Sequence, residues 1–228
     1  IQKKSIKDNQ IQQKYNFMSD FKIEVFRPFG PSIAKIQIPE NIVGKLNDYV
    51  DKIIIDEKKS EELDNGKKLA GNVKQEFRLE NDFIQSSGFL NILSSGASKW
   101  INVTENKQIS KFNLLSSWIV RQFESEYNPA HYHGGHISGV GYLKIPESFG
   151  KTFQPNKKHN LNGNLSLIHG NRIFNSSAIF KIVPKVGEFY FFPNYMIHMV
   201  YPFYGKGERR SISFNATIDE EIYNVYGN

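Results

Sequence analysis

The chain has no cysteine and no long apolar run, and each absence excludes a class of protein or site. Without a thiol, disulfides, zinc–thiolate sites and cysteine nucleophiles are unavailable. A membrane-spanning helix needs roughly 18–20 consecutive apolar residues, and the sequence contains no such run. We therefore expect no membrane partner, and the lack of cysteine is compatible with a cytoplasmic location.

Positive charge is in excess, with a formal net charge of +6, but it is not concentrated in one place. Paired lysines are scattered through polar segments, and no stripe of alternating basic and aromatic residues is visible. Charge of this kind favours solubility over a specific nucleic-acid partner. Frequent Lys, Asn, Ile, Phe and Tyr, which have A/T-rich codons, favour a bacterium or a phage-infected host cell as the source.

The length of 228 residues suits one sizeable core, and 14% aromatic residues favour one rich in β-structure. The first 17 residues are polar and show no periodicity, whereas the segment from Met18 reads like a natural start. We predict that residues 1–17 form a flexible leader and that residues 18–228 form a single domain.

The first half of that domain is predicted to mix strands with helices. FKIEVFRPF and SIAKIQIP have the alternation and the Pro/Gly break of two strands. Apolar residues at helical spacing predict one helix after Pro39 and another through FIQSSGFLNILSSGASKWI, with the polar SEELDNGKK as a loop between them. The second helix is expected to bury Phe89, Leu93, Ala97 and Trp100.

From Phe112 onward the pattern changes to short strands separated by Pro, Gly and Asn. Strands at this spacing predict an antiparallel sandwich or barrel. Gly139 and Gly141 interrupt one of these strands and indicate a close backbone approach.

Three of the six histidines lie in YNPAHYHGGHISGVGYLKIP, residues 127–146. On a strand, His131 and His133 point to the same face and His136 to the opposite one. Two imidazoles on one face can bind a divalent metal ion. Such a pair can equally consist of surface residues or hydrogen-bonded core residues.

A second stretch, GEFYFFPNYMIHMVYPFYGKGERRSISFNATI, supplies complementary residues. His198 follows an apolar strand, and Arg209 begins a later strand with Ser211 on its own face. Arginine binds a carboxylate through two parallel hydrogen bonds, and a neighbouring serine can donate to the same group. We hypothesise that the two stretches face each other across a small β-barrel, with an iron ion and a dicarboxylic co-substrate between them.

The order HxH…GEFYFFPNYMIH…ERRSISFN resembles the 2-oxoglutarate- and Fe(II)-dependent dioxygenases. It is most similar to the prolyl-hydroxylase-like oxygenases of phages and bacteria, over roughly Trp118 to Ile218. The resemblance implies a mainly β fold with flanking α-helices. Its core, about residues 112–218, would be a double-stranded β-helix, a cupin-like jelly roll, with the N-terminal helices packed on one sheet.

The same resemblance implies roles for individual residues and identifies the cofactors. His131 and His198 would be metal ligands, and Arg209 would bind the far carboxylate of 2-oxoglutarate with support from Ser211 and Tyr142. Fe(II) and 2-oxoglutarate are the implied cofactor and co-substrate, with ascorbate as an optional addition.

The sequence departs from the family at His133, where an aspartate or glutamate is usual. In one interpretation His133 replaces the carboxylate, so that His131, His133 and His198 form a catalytic three-histidine centre. In a second, His133 is the first ligand and Gly135 occupies the place of the carboxylate, which leaves an open coordination position. In a third, no functional iron binds and the fold is a binding scaffold.

Neighbouring polar residues receive supporting roles. His136 is expected to line the pocket or support a ligand, and Glu124 or Glu126 is a candidate to orient an imidazole by accepting its other N–H. Arg210 points away from Arg209 on its strand, which predicts a solvated side chain.

The expected function is an oxidoreductase that oxidatively decarboxylates 2-oxoglutarate to succinate while hydroxylating a C–H bond. Peptidyl proline, another protein or peptide side chain, or a small molecule would be the substrate, with the loop at residues 147–164 as the specificity element. The alternative is a noncatalytic metal-binding jelly-roll module, such as a phage structural or ligand-binding protein.

Overall fold

A computed structural model describes residues 22–26, 30–154 and 156–224 of the chain. The strands are β1 (Ile23–Phe26), β2 (Ile33–Gln37), β3 (Gln75–Arg78), β4 (Phe112–Gln122), β5 (Asn128–His131), β6 (Ile137–Lys144), β7 (Leu165–Ile168), β8 (Ile179–Ile182), β9 (Glu188–Pro193), β10 (Ile197–Val200) and β11 (Arg209–Ile218). The helices are α1 (Glu40–Ile55), α2 (Glu57–Leu63), a 3-10 helix (Gly66–Lys68), α3 (Asn81–Ser86), α4 (Phe89–Glu105) and α5 (Glu220–Tyr223). The predicted leader lies outside the described residues.

The strands form two sheets in which all neighbours are antiparallel. The larger sheet has the order β1-β2-β9-β6-β11-β4-β3, and the smaller one has the order β5-β10-β7-β8. Strands β1 to β3 join the larger sheet at its two edges, so the N-terminal part of the chain extends the sheet that the later strands build. The predicted antiparallel architecture is confirmed.

The larger sheet is buried on both faces, and β9 illustrates the cause. Phe189 and Phe191 pack into the core beneath the helices, whereas Tyr190 and Phe192 pack into the core shared with the smaller sheet. A strand covered on both sides reads as a continuous apolar run because each alternate residue meets a different layer. The helices therefore cover one face of the larger sheet, as predicted.

Gly139 and Gly141 on β6 have no space for a side chain. A Cβ atom at Gly139 would lie 2.4 Å from a ring atom of Phe214, and one at Gly141 would lie 2.2 Å from a ring atom of Phe189. The two glycines therefore give these phenylalanines room to lie flat on the strand. The predicted close approach is confirmed.

The predicted helices are confirmed in position, but the segment between them is not a simple loop. The helix after Pro39 is α1, and it is followed directly by α2 and the 3-10 helix. The prediction of a loop over SEELDNGKK is wrong because Asp56 caps α2, its side chain accepting a hydrogen bond from the Lys59 amide at 3.0 Å, and Leu63 is buried.

The second predicted helix is divided into α3 and α4. Gly88, with a φ of +87°, lies between them and breaks the helical path. The four residues predicted to be buried on α4 are in the core, which confirms that part of the prediction: Phe89, Leu93, Ala97 and Trp100.

Arg210 is buried, so the prediction that it is solvated is wrong. Its guanidinium bonds Glu208 through Nε at 2.8 Å and Asp51 on α1 through Nη2 at 2.7 Å. The side chain does point away from Arg209, but α1 covers that face of the sheet. Among residues 22–26, 30–154 and 156–224, no helix has the length and apolar character needed to cross a membrane.

Candidate active site

Three histidines converge in a cavity between the two sheets. His131 ends β5, His133 follows it, and His198 lies on β10, and one potential ligand atom from each lies within 4.8 Å of the others. Their ring centroids are 4.3–5.0 Å apart. The two sequence stretches thus meet across the small sheet.

Backbone carbonyls orient two of these rings. The Nδ1 atom of His131 lies 2.7 Å from the Pro129 carbonyl oxygen, and that of His198 lies 2.9 Å from the Met196 carbonyl oxygen. When Nδ1–H donates to a carbonyl, Nε2 holds the lone pair that a metal ion requires.

His133 lies in the turn after β5, and Asn194 fixes its backbone. The His133 amide donates to the Asn194 carbonyl at 3.1 Å, and the Asn194 side-chain amide donates to the His133 carbonyl at 3.1 Å. The ring also meets Trp118 in an edge-to-face contact with centroids 5.3 Å apart. These contacts direct the imidazole toward the other two histidines.

All three histidines have lowered pKa values. Burial, followed by the nearby His131, lowers the pKa of His133 to about 4 and that of His198 to about 3. Burial also lowers the pKa of His131. The imidazoles are therefore neutral at pH 7, which is the state that binds a metal ion.

Arg209 lies in the same cavity and is 1% exposed. Its Nε donates to the Gly163 carbonyl at 3.1 Å, and Nη1 donates to the Ser211 hydroxyl at 3.3 Å. Nη2 has no hydrogen-bond partner although it is buried. A buried charged donor without a partner is costly, so this atom is suited to an anionic ligand.

Tyr142 provides a second buried donor near this arginine. Its hydroxyl has no hydrogen-bond partner, and the Arg209 guanidinium lies 5.1 Å from the centre of its ring. Burial, partly opposed by the charge of Arg209, raises the pKa of Tyr142 to about 12, so the hydroxyl keeps its proton. Tyr142 pairs directly with Ser211 between β6 and β11, which places both side chains on the face toward the cavity.

His136 and Glu126 do not take the supporting roles predicted for them. His136 accepts a hydrogen bond from the Ile218 amide at 3.1 Å and stacks on Tyr223, with centroids 3.9 Å apart, outside the histidine cluster. Glu126 accepts from the amides of Lys74 and Phe123. The ring-orienting acceptors are backbone carbonyls, which side-chain motifs do not reveal.

Two cavity residues that the sequence reasoning missed are Glu76 and Asn128. Glu76 lies on β3 and is 2% exposed, and Asn128 begins β5. The sequence carries no signal for either residue beyond the acidic character of Glu76. Its position next to the cavity follows from strand pairing.

The residues of the cavity fit the groups that the resemblance implied. Neutral imidazoles are ligands for iron as well as for zinc, copper and nickel. The unpartnered donors on Arg209 and Tyr142 fit a carboxylate, a group that a metal site alone would not need.

A known protein family matches the part of the chain that forms the cavity. Residues 116–215, from β4 to β11, match the family model described as "Putative 2OG-Fe(II) oxygenase". This core, which is less than half of the chain, is therefore similar to the 2OG-Fe(II) oxygenases. Members of the family are oxidoreductases that depend on Fe(II) and 2-oxoglutarate. No curated protein sequence is significantly similar to the chain.

Two solved structures have the same fold as this chain. AviO1 from Streptomyces viridochromogenes Tue57 has 11% identity and a TM-score of 0.54, and the match covers 82% of this chain and 90% of AviO1. A prolyl hydroxylase from Trichoplax adhaerens, in complex with a hypoxia inducible factor peptide fragment, has 13% identity and a TM-score of 0.51, with 96% of each chain covered. The predicted double-stranded β-helix with flanking helices is confirmed.

Proposed function

We propose that the chain is a hydroxylase that converts 2-oxoglutarate, dioxygen and a substrate R–H into succinate, carbon dioxide and R–OH. One observation carries the proposal. A single cavity contains three neutral imidazoles together with Arg209, whose buried Nη2 atom has no hydrogen-bond partner. The buried Tyr142, whose hydroxyl also lacks a partner, lies directly beside this arginine.

In this proposal the metal centre is the three-histidine set His131, His133 and His198. Fe(II), when bound, supplies the redox chemistry that activates dioxygen. The lowered pKa values keep the three rings neutral, and the carbonyls of Pro129 and Met196 hold two of them in the tautomer that binds metal. The second interpretation has His133 as the first ligand and an open coordination position at Gly135. It leaves His131 without a role, although His131 lies in the same cluster as His133 and His198.

Arg209, Tyr142 and Ser211 have the task of binding and orienting the co-substrate. Arg209 Nη2 and the Tyr142 hydroxyl would donate to its far carboxylate, while Ser211 and the Gly163 carbonyl hold the guanidinium in place. Because Arg209 and Ser211 line the same cavity as the histidines, a dicarboxylate held there would extend its other end toward them. Apolar walls keep water away from the reacting atoms: Val140, Leu165, Phe192 and Val200.

The substrate class extends from peptidyl proline and other protein side chains to small molecules. A noncatalytic metal-binding module is the competing function, and it leaves the Arg209–Tyr142 clamp without a purpose.

The test is to incubate the protein with Fe(II), ascorbate, dioxygen and 2-oxoglutarate and to measure succinate above the background without enzyme. Turnover that is lost in His198→Ala and Arg209→Ala would support the proposal. Absence of turnover, with metal and 2-oxoglutarate affinities that are unchanged in both variants, would refute it.

A further inference from the structure

Glu76 is a buried carboxylate whose charge has no counterion. It lines the cavity and is 2% exposed, and its Oε2 atom has no hydrogen-bond partner. Within the described part of the chain, no lysine or arginine forms an ion pair with it. An uncompensated buried carboxylate costs several kcal/mol, so its presence in a cavity points to a ligand.

Asn128 adds a second unpartnered acceptor at the same place. Its Oδ1 atom is buried and has no hydrogen-bond partner. A Cβ atom built on Gly71 would lie 2.6 Å from Asn128 Oδ1 and 2.6 Å from Glu76 Oε1. The two oxygens therefore lie close to each other beside Gly71, and a ligand that contacts both must supply hydrogen-bond donors.

Strand register places this acceptor pair away from the co-substrate clamp. Glu76 pairs with Val120, Val120 pairs with Ser211, and Ser211 pairs with Tyr142, so all four side chains lie in one row on the cavity face. Two strand spacings separate Glu76 from Ser211, which is about 10 Å. The cavity thus has a positive end at Arg209 and a negative end at Glu76.

Glu76 is separate from the histidine cluster. Among the described residues, the group that could hold one metal ion contains three histidines and no carboxylate. Burial, followed by the charge of Asp64, raises the pKa of Glu76 to about 7. A cationic donor would favour the ionised carboxylate through both hydrogen bonds and charge compensation, whereas a neutral donor supplies hydrogen bonds alone.

We propose that Glu76 and Asn128 form a subsite for a positively charged nitrogen, an ammonium or guanidinium group, carried by the substrate. This inference rests on the proposed function, because it assigns the end of the cavity opposite the 2-oxoglutarate clamp to the substrate. The two sources of such a group are a free basic amino acid and a lysine or arginine side chain of a protein.

The test measures binding directly, on the full chain with Fe(II) and 2-oxoglutarate under nitrogen. n-Butylguanidinium, n-butylammonium and the neutral n-butyramide are titrated, with calorimetry and the fluorescence of Trp118, which lines the cavity, as readouts. We expect both cations to bind at least tenfold more tightly than butyramide. Glu76→Gln should weaken cation binding at least tenfold, whereas the exposed Glu61→Gln should leave it unchanged.

Equal binding of butyramide or unchanged cation binding in Glu76→Gln would overturn the proposal. Loss of Fe(II) affinity in Glu76→Gln would also overturn it, because it would place Glu76 in the metal centre. If Glu76→Gln does not fold, Asn128→Leu replaces it. That variant should weaken cation binding several-fold, and unchanged binding in it would also overturn the proposal.

Succinate formation then identifies the source of the cation. Stimulation by free L-lysine or L-arginine indicates a small molecule, and stimulation by their N-acetylated amides indicates a protein side chain. Stronger stimulation by an uncharged proline peptide than by every cation would overturn the proposal. A wild-type protein that binds the cations but neither binds nor consumes 2-oxoglutarate would refute the proposed hydroxylase function while supporting the cation subsite.

Discussion

His131 and His198 are direct partners across the antiparallel strands β5 and β10, with ring centroids 4.3 Å apart. The two residues are far apart in sequence, so strand register brings them together. The register shifts immediately after this pair, between His198 and Val200. Irregularities of this kind bend a strand locally and re-aim its side chains.

Removal of His198 should abolish tight metal binding. We expect His198→Ala to lower Fe(II) or Zn(II) affinity by roughly 100-fold or more, because substitutions of the outer-shell partners of metal ligands alone cost 10–100-fold. Titration calorimetry measures the affinity, and His159→Ala, an exposed histidine outside the cluster, is the matched control. Equal metal affinity in both variants would contradict the assignment.

Substitution of His133 distinguishes between the interpretations of the metal centre. If His133 is the third ligand, His133→Ala should lower metal affinity at least tenfold, while His133→Asp should retain binding because a carboxylate is also a ligand for iron. If His133→Ala binds metal as tightly as the wild type, the three-histidine centre is wrong.

The candidate site could be predicted where the sequence carries local motifs. Two-residue spacing grouped Arg209 with Ser211, which share a face of β11. The same spacing grouped His131 with His133, and the two imidazoles do converge, although His133 lies in the turn after β5. Glu76 could not be predicted to lie beside Asn128, because only the pairing of β3 with β4 places it at the cavity. A strand sequence does not specify its neighbour.

In the fold, too, features set by local sequence could be predicted, and features set by distant parts of the chain could not. The helix after Pro39 and the strands after Phe112 follow from apolar periodicity, and the structure confirms them. The burial of Arg210 could not be predicted from its strand. Its partner Asp51 lies on α1, a helix from a distant part of the chain that covers this face of the sheet. The missed helix α2 depends on Asp56, a capping residue within a segment that looked uniformly polar.

Replacing Arg209 should weaken the binding of 2-oxoglutarate without weakening the binding of metal. Hydrogen bonds to charged groups contribute about 1.5–3 kcal/mol, so Arg209→Lys should raise the Kd for 2-oxoglutarate about 10- to 100-fold. Metal affinity should remain unchanged, since Arg209 is outside the histidine cluster. Calorimetry with each ligand separates the two effects, and a variant that loses both affinities equally would indicate misfolding instead of a lost clamp.

The Tyr142 hydroxyl should cost stability in the free protein and contribute to binding. It is buried without a partner, so Tyr142→Phe should leave the free energy of unfolding unchanged or raise it by about 1 kcal/mol. The same variant should lower the affinity for 2-oxoglutarate several-fold. Urea unfolding tests the prediction on stability, and calorimetry tests the prediction on binding. A clear loss of stability would indicate that the hydroxyl already has a hydrogen-bond partner in the free protein.

Glu208 connects the core of the larger sheet through charged hydrogen bonds. Its Oε1 atom accepts from Arg121 Nε at 2.7 Å and from Arg210 Nε at 2.8 Å, and the side chain is 7% exposed. Burial alone would raise the pKa of this carboxyl, but the two arginines outweigh it and lower the pKa to about 2.

This lowered pKa makes stability depend on pH in a defined direction. A carboxyl with a lower pKa in the folded state stabilises the protein above its unfolded pKa, near 4.5, and loses that contribution as the pH falls toward 2. The full difference corresponds to about 3 kcal/mol. Glu208→Gln should therefore be less stable than the wild type at pH 6, and urea unfolding should show this gap shrinking by about 2 kcal/mol at pH 3. A gap that stays constant between these pH values would show that the carboxylate charge does not stabilise the fold.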